Sequence, residues 1–332
     1  MTTGEAVTPV GEIDVTPDAA SAPADPAVAA RAVGLRKVFG RTVAVDGIDL
    51  DVPAGSVLGM LGPNGSGKTT LIRMLLGLTH PTAGTAELLG HAIPKESARA
   101  LPHVGALVEG PGFHPFLSGR ENLRRNAAAE PLLANREIPA AVDAALERVG
   151  LAGAADRRFR GYSLGMKQRL GLAAALLLPR RLIVLDEPTN GLDPAGTRDV
   201  RRIIAELHAD GATVLVSSHL LAEVEATCTH VAVLQHGSLV AAGELRSLLE
   251  AGTGGLVVAT PDVELALRTL RGTGATAYRA EGDEPAVVVD GGGPPAPETI
   301  ALLVGAGVAV HEARRHRANL EDLFARLTEE TP

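Results

Sequence analysis

GPNGSGKTT, running from Gly62 to Thr70, matches G-x-x-x-x-G-K-[ST] and lies directly between the apolar run SVLGML and the helical run LIRMLLGL. The order of strand, glycine-rich turn and helix decides what the turn does. Gly62, Gly65 and Gly67 permit positive φ and close approach of the main chain, with Pro63, Asn64, Ser66 and Thr70 completing the turn. Successive N–H groups then converge on an anion at a helix N-terminus, and the bound group of choice is a β-phosphate. Lys68 adds a full positive charge that bridges β- and γ-phosphates, and the Thr69 hydroxyl suits Mg²⁺. A glycine-rich turn that binds nothing has no need of that lysine, that threonine and both flanking elements together. MgATP is the expected ligand, and a P-loop α/β fold is the expected frame.

Outward from this turn, LIVLDEP ends four apolar residues in Asp186 and Glu187 at the carboxyl end of a strand, the edge at which open α/β sheets bind ligands. Two adjacent carboxylates in a buried position are costly without a partner. A metal-bound nucleotide supplies one: Asp186 holds Mg²⁺ through water, and Glu187 polarises the water that attacks the γ-phosphate. The bland alternative, a surface turn with two solvated acids, does not account for a second strand of the same type in the same chain as the P-loop. SVLGML, LIVLD and TVLVSS are short β-branched or leucine runs separated by helical stretches, which predicts a mainly parallel sheet buried on both faces. Ahead of them, VGLRKVF and TVAVDGIDLDV with turn residues Gly40 and Gly47 predict a small antiparallel sheet.

The whole chain has 332 residues, 45% of them apolar and 21% charged, enough for a packed interior and for more than one core. Its formal charge of −8 disfavours long-range attraction to phosphate backbones, so no nucleic-acid partner is expected. A single cysteine, Cys228, rules out an internal disulfide or a multi-thiolate metal site and reads as a small buried hydrophobe within the helical pattern LLAEVEATCTHVAVL. No signal peptide and no apolar run long enough for a membrane span stand out. Residues 1–30, rich in Ala, Pro and Thr without period, are expected to be a disordered tail, and residues 31–245 the nucleotide-binding domain. Residues 246–332 carry the pattern β-α-β-β-α-β-α, which suggests a small ferredoxin-like α+β module, its last helix placing Leu320, Leu323, Phe324 and Leu327 on one face.

With these motifs in order, residues 31–245 resemble the ATP-binding cassette (ABC) family. YSLGMKQR is similar to the family signature: Ser163 and Gly165 match, while Leu164 and Met166 replace a glycine and a glutamine. Ser163 is placed to cap the helix LGMKQRLGLAAALLL, which Pro179 is expected to terminate. The resemblance implies a helical subdomain whose N-terminus faces the γ-phosphate held by an opposite protomer. GLDP, with Asp193, resembles the D-loop between protomers, and His219 after VLVSS matches the switch histidine at the γ-phosphate. Phe39 in KVFG matches the aromatic that stacks on adenine, although a core phenylalanine reads the same way from sequence. The chain has five Phe and two Tyr, and Phe113, Phe116, Phe159 and Tyr162 join Phe39 in or beside segments linked to nucleotide or permease contact, which leans towards function. Glu109, in VGALVEGPGF, stands where the family has a glutamine; a carboxylate there still ligates Mg²⁺ or orients water but adds negative charge beside the phosphates. This replacement and the ending ANLEDLFARLTEE look like exporter cassettes for drugs and peptide antibiotics.

The resemblance implies catalysis by Glu187, His219 and Lys68, ATP and Mg²⁺ as ligand and cofactor, and a homodimer or paralogous pair. The dimer serves separately encoded transmembrane permease subunits, so the expected place is the cytoplasmic face of the plasma membrane, peripheral through the permease. A soluble cassette acting on ribosomes or DNA is the rival from another class, set back by the acidic balance and by the lack of tandem cassettes or a long coiled-coil insertion. A nucleotide sensor without hydrolysis is the third reading, and it requires Glu187 or His219 to be missing.

Overall fold

A computed structural model describes residues 27–109, 112–251, 255–280, 284–289, 294–315, 320–321 and 324. In chain order the first elements are β1 (Val28–Phe39), β2 (Thr42–Pro53), β3 (Val57–Leu61), α1 (Lys68–Leu75), β4 (Ala83–Leu88) and β5 (His91–Ile93). They continue with α2 (Ser97–Ala100), β6 (Val104–Leu107), α3 (Gly119–Ala128), α4 (Ile138–Arg148), α5 (Leu164–Ala175), β7 (Leu182–Asp186) and α6 (Pro194–Ala209). β8 (Thr213–Ser218), α7 (Leu221–Thr227), β9 (His230–Gln235), β10 (Ser238–Glu244) and α8 (Leu245–Ala251) follow. The C-terminal part consists of β11 (Leu256–Ala259), α9 (Val263–Arg271), β12 (Ala277–Arg279), β13 (Ala286–Val289), α10 (Ala296–Gly305) and β14 (Glu312–Arg315).

Three sheets result. The first, in the order β2-β1-β4-β5, is antiparallel throughout, as the alternating N-terminal runs predict. Its first strand starts at Val28, so residues 28–30, expected in the tail, are strand; residues 1–26 lie outside the described residues. The second sheet has the order β10-β9-β3-β8-β7-β6 and is parallel except for the edge pair β9–β10. β3, β7 and β8 are buried along their whole length because both faces are covered, which is why these strands read as unbroken apolar runs. One face packs against α1 and the antiparallel sheet through Leu58, Met60, Leu71, Ile72 and Leu35. The other packs against the helical layer of α3, α4, α5 and α6 through Leu123, Leu146, Leu170 and Ile203.

The helical layer begins at a capping box. The Ser118 side chain accepts from Glu121 N–H at 3.1 Å, and the Glu121 carboxylate accepts from Ser118 N–H at 2.7 Å, so two otherwise unpaired helix-start donors are satisfied. The backbone N–H of Ser118 holds the Glu121 carboxyl below its usual range. α5 ends at Ala175, earlier than the expected stop at Pro179: its last turn is closed by Leu176 N–H on the Leu172 and Ala173 carbonyls, and proline only prevents resumption. LLAEVEATCTHVAVL is not one helix either: α7 stops at Thr227, Cys228 is extended, and His230 opens β9. Cys228 is buried, as expected of a small hydrophobe, and burial pushes its thiol up to about 12.

The third sheet, β12-β13-β11-β14, is antiparallel, and its element order β-α-β-β-α-β with the first strand between the third and fourth is the ferredoxin-like arrangement. α9 and α10 cover one face through Leu267, Leu270 and Leu303, giving this part a core of its own. Of the four residues expected on the last helical face, Leu323 and Leu327 lie outside the described residues; Leu320 is buried and Phe324 half-buried against the nucleotide-domain core.

Candidate nucleotide-binding and hydrolysis site

Parallel register assembles the site. Leu61 of β3 pairs with Ser218 of β8, Asp186 of β7 pairs with Ser217, and Leu107 of β6 pairs with Leu185. Strands that end in step deliver the Gly62 turn, Glu187, His219 and Glu109 to one carboxyl edge, where Lys68 and His219, 151 residues apart in sequence, both approach the Glu187 carboxylate. A glycine is required at Gly67, where φ is 103° and a Cβ would stand 2.5 Å from the Ala44 carbonyl oxygen. That contact seats the turn on β2 and opens α1 with its free N–H groups facing out of the edge.

Lys68 is 5% exposed, and its ammonium donates to the carbonyls of Gly62 at 2.7 Å and Pro63 at 3.2 Å, with the Glu187 carboxylate 3.6 Å away. Thr69 Oγ1 donates to Asp186 Oδ1 at 3.2 Å, and the same oxygen accepts from Ser217 Oγ at 2.6 Å. Ser217 in turn accepts from Glu187 N–H at 2.9 Å, so one serine ties both acids to β8. Ser217 escaped the sequence reading. Its signal is the polar end of the otherwise apolar run TVLVSS, in register with Asp186. Glu187 Oε2 lies 2.7 Å from His219 Nδ1. Glu187 also holds φ at 48°, a left-handed conformation that costs a non-glycine residue about 1 kcal/mol and persists only where its surroundings dictate it.

The cradle fits a magnesium-bound triphosphate. Ser66 Oγ is buried without a hydrogen-bond partner among the described residues, and Gly62 and Gly67 leave no room for a Cβ while Gly65 faces open space, so an anion is the natural complement of the free donors. Thr69 and Asp186 offer the hard oxygen donors that suit Mg²⁺. Glu109, expected with them, pairs its carboxylate with Arg73 in the last turn of α1, one turn beyond Thr69, and its backbone φ is 58°. The negative charge that replaces a glutamine is therefore met by a cation from the helix that follows the P-loop. Sequence reasoning gave Arg73 no role.

Ser163 caps α5, accepting from Met166 N–H at 3.2 Å, as its position predicts. Leu164 is 64% exposed, and a Cβ on Gly191 would lie 2.4 Å from its Cδ2, so the GLDP loop packs against the serine-led helix start. Gly165 meets Leu192 in the same way, and Met166 is half-buried against the core. Asp193 caps α6, accepting from Gly196 N–H at 2.8 Å. Within the same chain α5 reaches the acid pair through Gln168, which donates to the Glu187 carbonyl at 3.3 Å. The aromatic cluster divides. Phe159 and Tyr162 are buried, Phe113 packs edge-on to Phe159 at 5.3 Å, and Tyr162 donates to the Ala154 carbonyl at 2.7 Å. Phe159 and Tyr162 belong to the core and Phe113 packs against it partly buried, the placement that the sequence leaves open beside a functional one. Phe39 and Phe116 remain 50% and 60% exposed, with Lys37 over the first ring at 4.8 Å and Arg160 over the second at 5.7 Å.

Comparison with known proteins agrees with this geometry. Residues 45–190 match the family described as ABC transporter. The ABC transporter ATP-binding protein YdbJ of Bacillus subtilis is 40% identical over 296 residues, which cover 89% of this chain and 94% of that protein. The bacitracin transport ATP-binding protein BcrA of Bacillus licheniformis is 44% identical over 207 residues, covering 62% of this chain and 66% of that protein. Among solved structures, an ATP binding subunit of an ABC transporter superposes with a TM-score of 0.61 at 26% identity, covering 67% of this chain and 92% of that one.

Proposed function

Since the chain belongs to the ABC transporter ATP-binding family and is an ATPase of that family, we propose that it powers an exporter by closing as a dimer on MgATP. The observation that carries this reading is the single sheet edge at which Lys68, Thr69, Asp186, Glu187 and His219 meet. Residues 31–245 are the engine, and residues 246–332 are an accessory unit.

On binding, the β- and γ-phosphates replace the Gly62 and Pro63 carbonyls as partners of Lys68, and the turn N–H groups and Ser66 close around the β-phosphate. Phe39, exposed at the end of β1, stacks on the adenine. Thr69 and Asp186 would hold Mg²⁺, which would neutralise charge on the phosphate oxygens. Glu187 then takes a proton from the water whose oxygen attacks the γ-phosphorus, and the bond to the β,γ-bridging oxygen breaks to leave ADP and phosphate. His219 holds the Glu187 carboxylate in line and faces the same phosphate. Ser163 and Gly165 of a second copy or a paralogue supply the remaining helix N-terminus, because two phosphate-laden surfaces close only with donors between them.

Permease coupling through the segment from Glu109 to Leu117 is supported by Phe116, a large exposed ring. Export is favoured by the glutamate at position 109 and by the likeness to BcrA, which is named for bacitracin transport. No helix among the described residues is long and apolar enough to cross a membrane, and separately encoded permease subunits are the proposed path. The full-length tagged chain, purified from detergent-solubilised membranes of its source, is expected to bring down a polytopic membrane protein and to hydrolyse MgATP. Lys68→Ala is expected to retain that protein and lose hydrolysis. Recovery with ribosomes and no membrane protein, or a Lys68→Ala chain as active as wild type, refutes the proposal.

A further inference from the structure

Glu187 and His219 meet at 2.7 Å although they sit on the loops after two different strands. Ser217 links the main chain of the first loop to the end of β8 by accepting from Glu187 N–H at 2.9 Å, and a second tie runs through α7. One carboxylate oxygen of Glu223, in the first turn of α7, accepts from Thr189 Oγ1 at 2.7 Å and from Ser218 Oγ at 3.2 Å. Thr189 is two residues beyond Glu187, and Ser218 immediately precedes His219. The His219 loop is closed further by Leu220 N–H on Ser218 Oγ at 3.0 Å and by Glu223 N–H on the Leu220 carbonyl at 3.1 Å. Both loops therefore converge on a single acceptor atom.

That acceptor is mounted on a rigid base. A Cβ on Gly59, in the middle of β3, would stand 2.7 Å from both Cys228 Sγ and Val224 Cγ1, so α7 lies flush on the central strand. Val224 is buried, and Cys228 N–H closes the helix on the Val224 carbonyl at 2.9 Å. β3 is the strand that leads into the P-loop, so the carboxylate that spans the two loops is referenced to the same strand as the phosphate cradle. A small cavity lined by Pro188, Thr189, Val216, Ser218, Glu223 and Cys228 adjoins this bridge, which links Thr189 and Ser218 across its wall.

We propose that Glu223 is a positioning residue for ATP hydrolysis, setting the separation of Glu187 and His219 through Thr189 and Ser218. This rests on the roles given above to those two residues. The test uses the full chain as wild type, Glu223→Ala, Glu223→Gln, Thr189→Val and the Thr189→Val/Glu223→Ala double variant, with MgATP kinetics and equilibrium binding of a fluorescent ATP analogue. Glu223→Ala is expected to lower kcat roughly tenfold while KM and analogue affinity stay within about twofold, since misplacing reacting groups costs rate and leaves the phosphate cradle alone. Glu223→Gln is expected to recover kcat to within about threefold of wild type, because its amide oxygen accepts the same two hydroxyl protons. The double variant is expected to fall no lower than Glu223→Ala alone, as residues in one network are not additive.

An unchanged kcat in Glu223→Ala, a glutamine variant as slow as the alanine one, or additive losses in the double variant overturns the proposal. Should Glu223→Ala not fold, Thr189→Val against Thr189→Ser decides it. Only the variant lacking the hydroxyl is expected to slow turnover, and equal rates in the two overturn the clamp. Wild-type hydrolysis with a Glu223→Ala chain of equal kcat sinks the clamp alone. A wild-type chain without ATPase activity sinks both readings.

Discussion

Replacing Glu187 by glutamine separates binding from chemistry at this site. The change keeps the shape of the side chain and leaves the backbone bond to Ser217 at 2.9 Å intact, so the link between Asp186, Ser217 and Thr69 survives. Lys68 loses only its loosest partner, at 3.6 Å, and keeps the two carbonyls at 2.7 and 3.2 Å. Affinity for MgATP is therefore expected to stay the same or rise by up to about tenfold, since a negative charge facing the γ-phosphate has gone. What disappears is the proton acceptor held 2.7 Å from His219. General-base catalysis supplies about 10²–10⁴ in rate, so a fall of around 10³ in kcat is expected, or about 4 kcal/mol of transition-state stabilisation. Phosphate release measures turnover. With no tryptophan in the chain to report on nucleotide, binding is followed with a fluorescent ATP analogue, and size exclusion in MgATP shows whether a dimer is trapped. A glutamine variant that turns over within about threefold of wild type refutes the assignment of the base. A variant that loses binding together with turnover refutes the division of labour between Lys68 and Glu187.

Two further outcomes follow from burial. Cys228, with its thiol pushed up to about 12 by burial against an ordinary value of 9.0, should resist maleimide in the native chain at pH 8 and label rapidly in urea. Because the folded value is the raised one, its contribution to stability is complete below pH 9.0 and is lost as pH climbs towards 12, so a urea midpoint that stays flat over that range contradicts the burial of this thiol. Leu146→Ala, deep in the helical layer with no exposed surface, is expected to cost about 2–5 kcal/mol in denaturant titrations followed by circular dichroism; a loss below about 1 kcal/mol would mean that α4 does not pack as described.

From sequence alone, most local devices that a short stretch completes for itself were readable, although the end of α5 and the break between α7 and β9 were not. The P-loop needs its glycines, lysine and threonine within nine consecutive residues, Ser163 and its helix lie side by side, and both-face burial writes β3, β7 and β8 as plain apolar runs. The ferredoxin-like order of the C-terminal elements was legible for the same reason, and its sheet pairing agrees with that order. Tertiary structure alone decided which distant side chains share a partner. The register of β7 with β8 put Ser217 on Asp186, and the seat of α7 on Gly59 brought Glu223 to Thr189 and Ser218. The turn after β6 put the Glu109 carboxylate on Arg73. Packing likewise sorted the aromatics, burying Phe159 and Tyr162 and leaving Phe39 and Phe116 in the open. A side chain's type and its neighbours in sequence are local properties, whereas the atom it finally meets depends on strand register and helix docking, which only the whole fold sets.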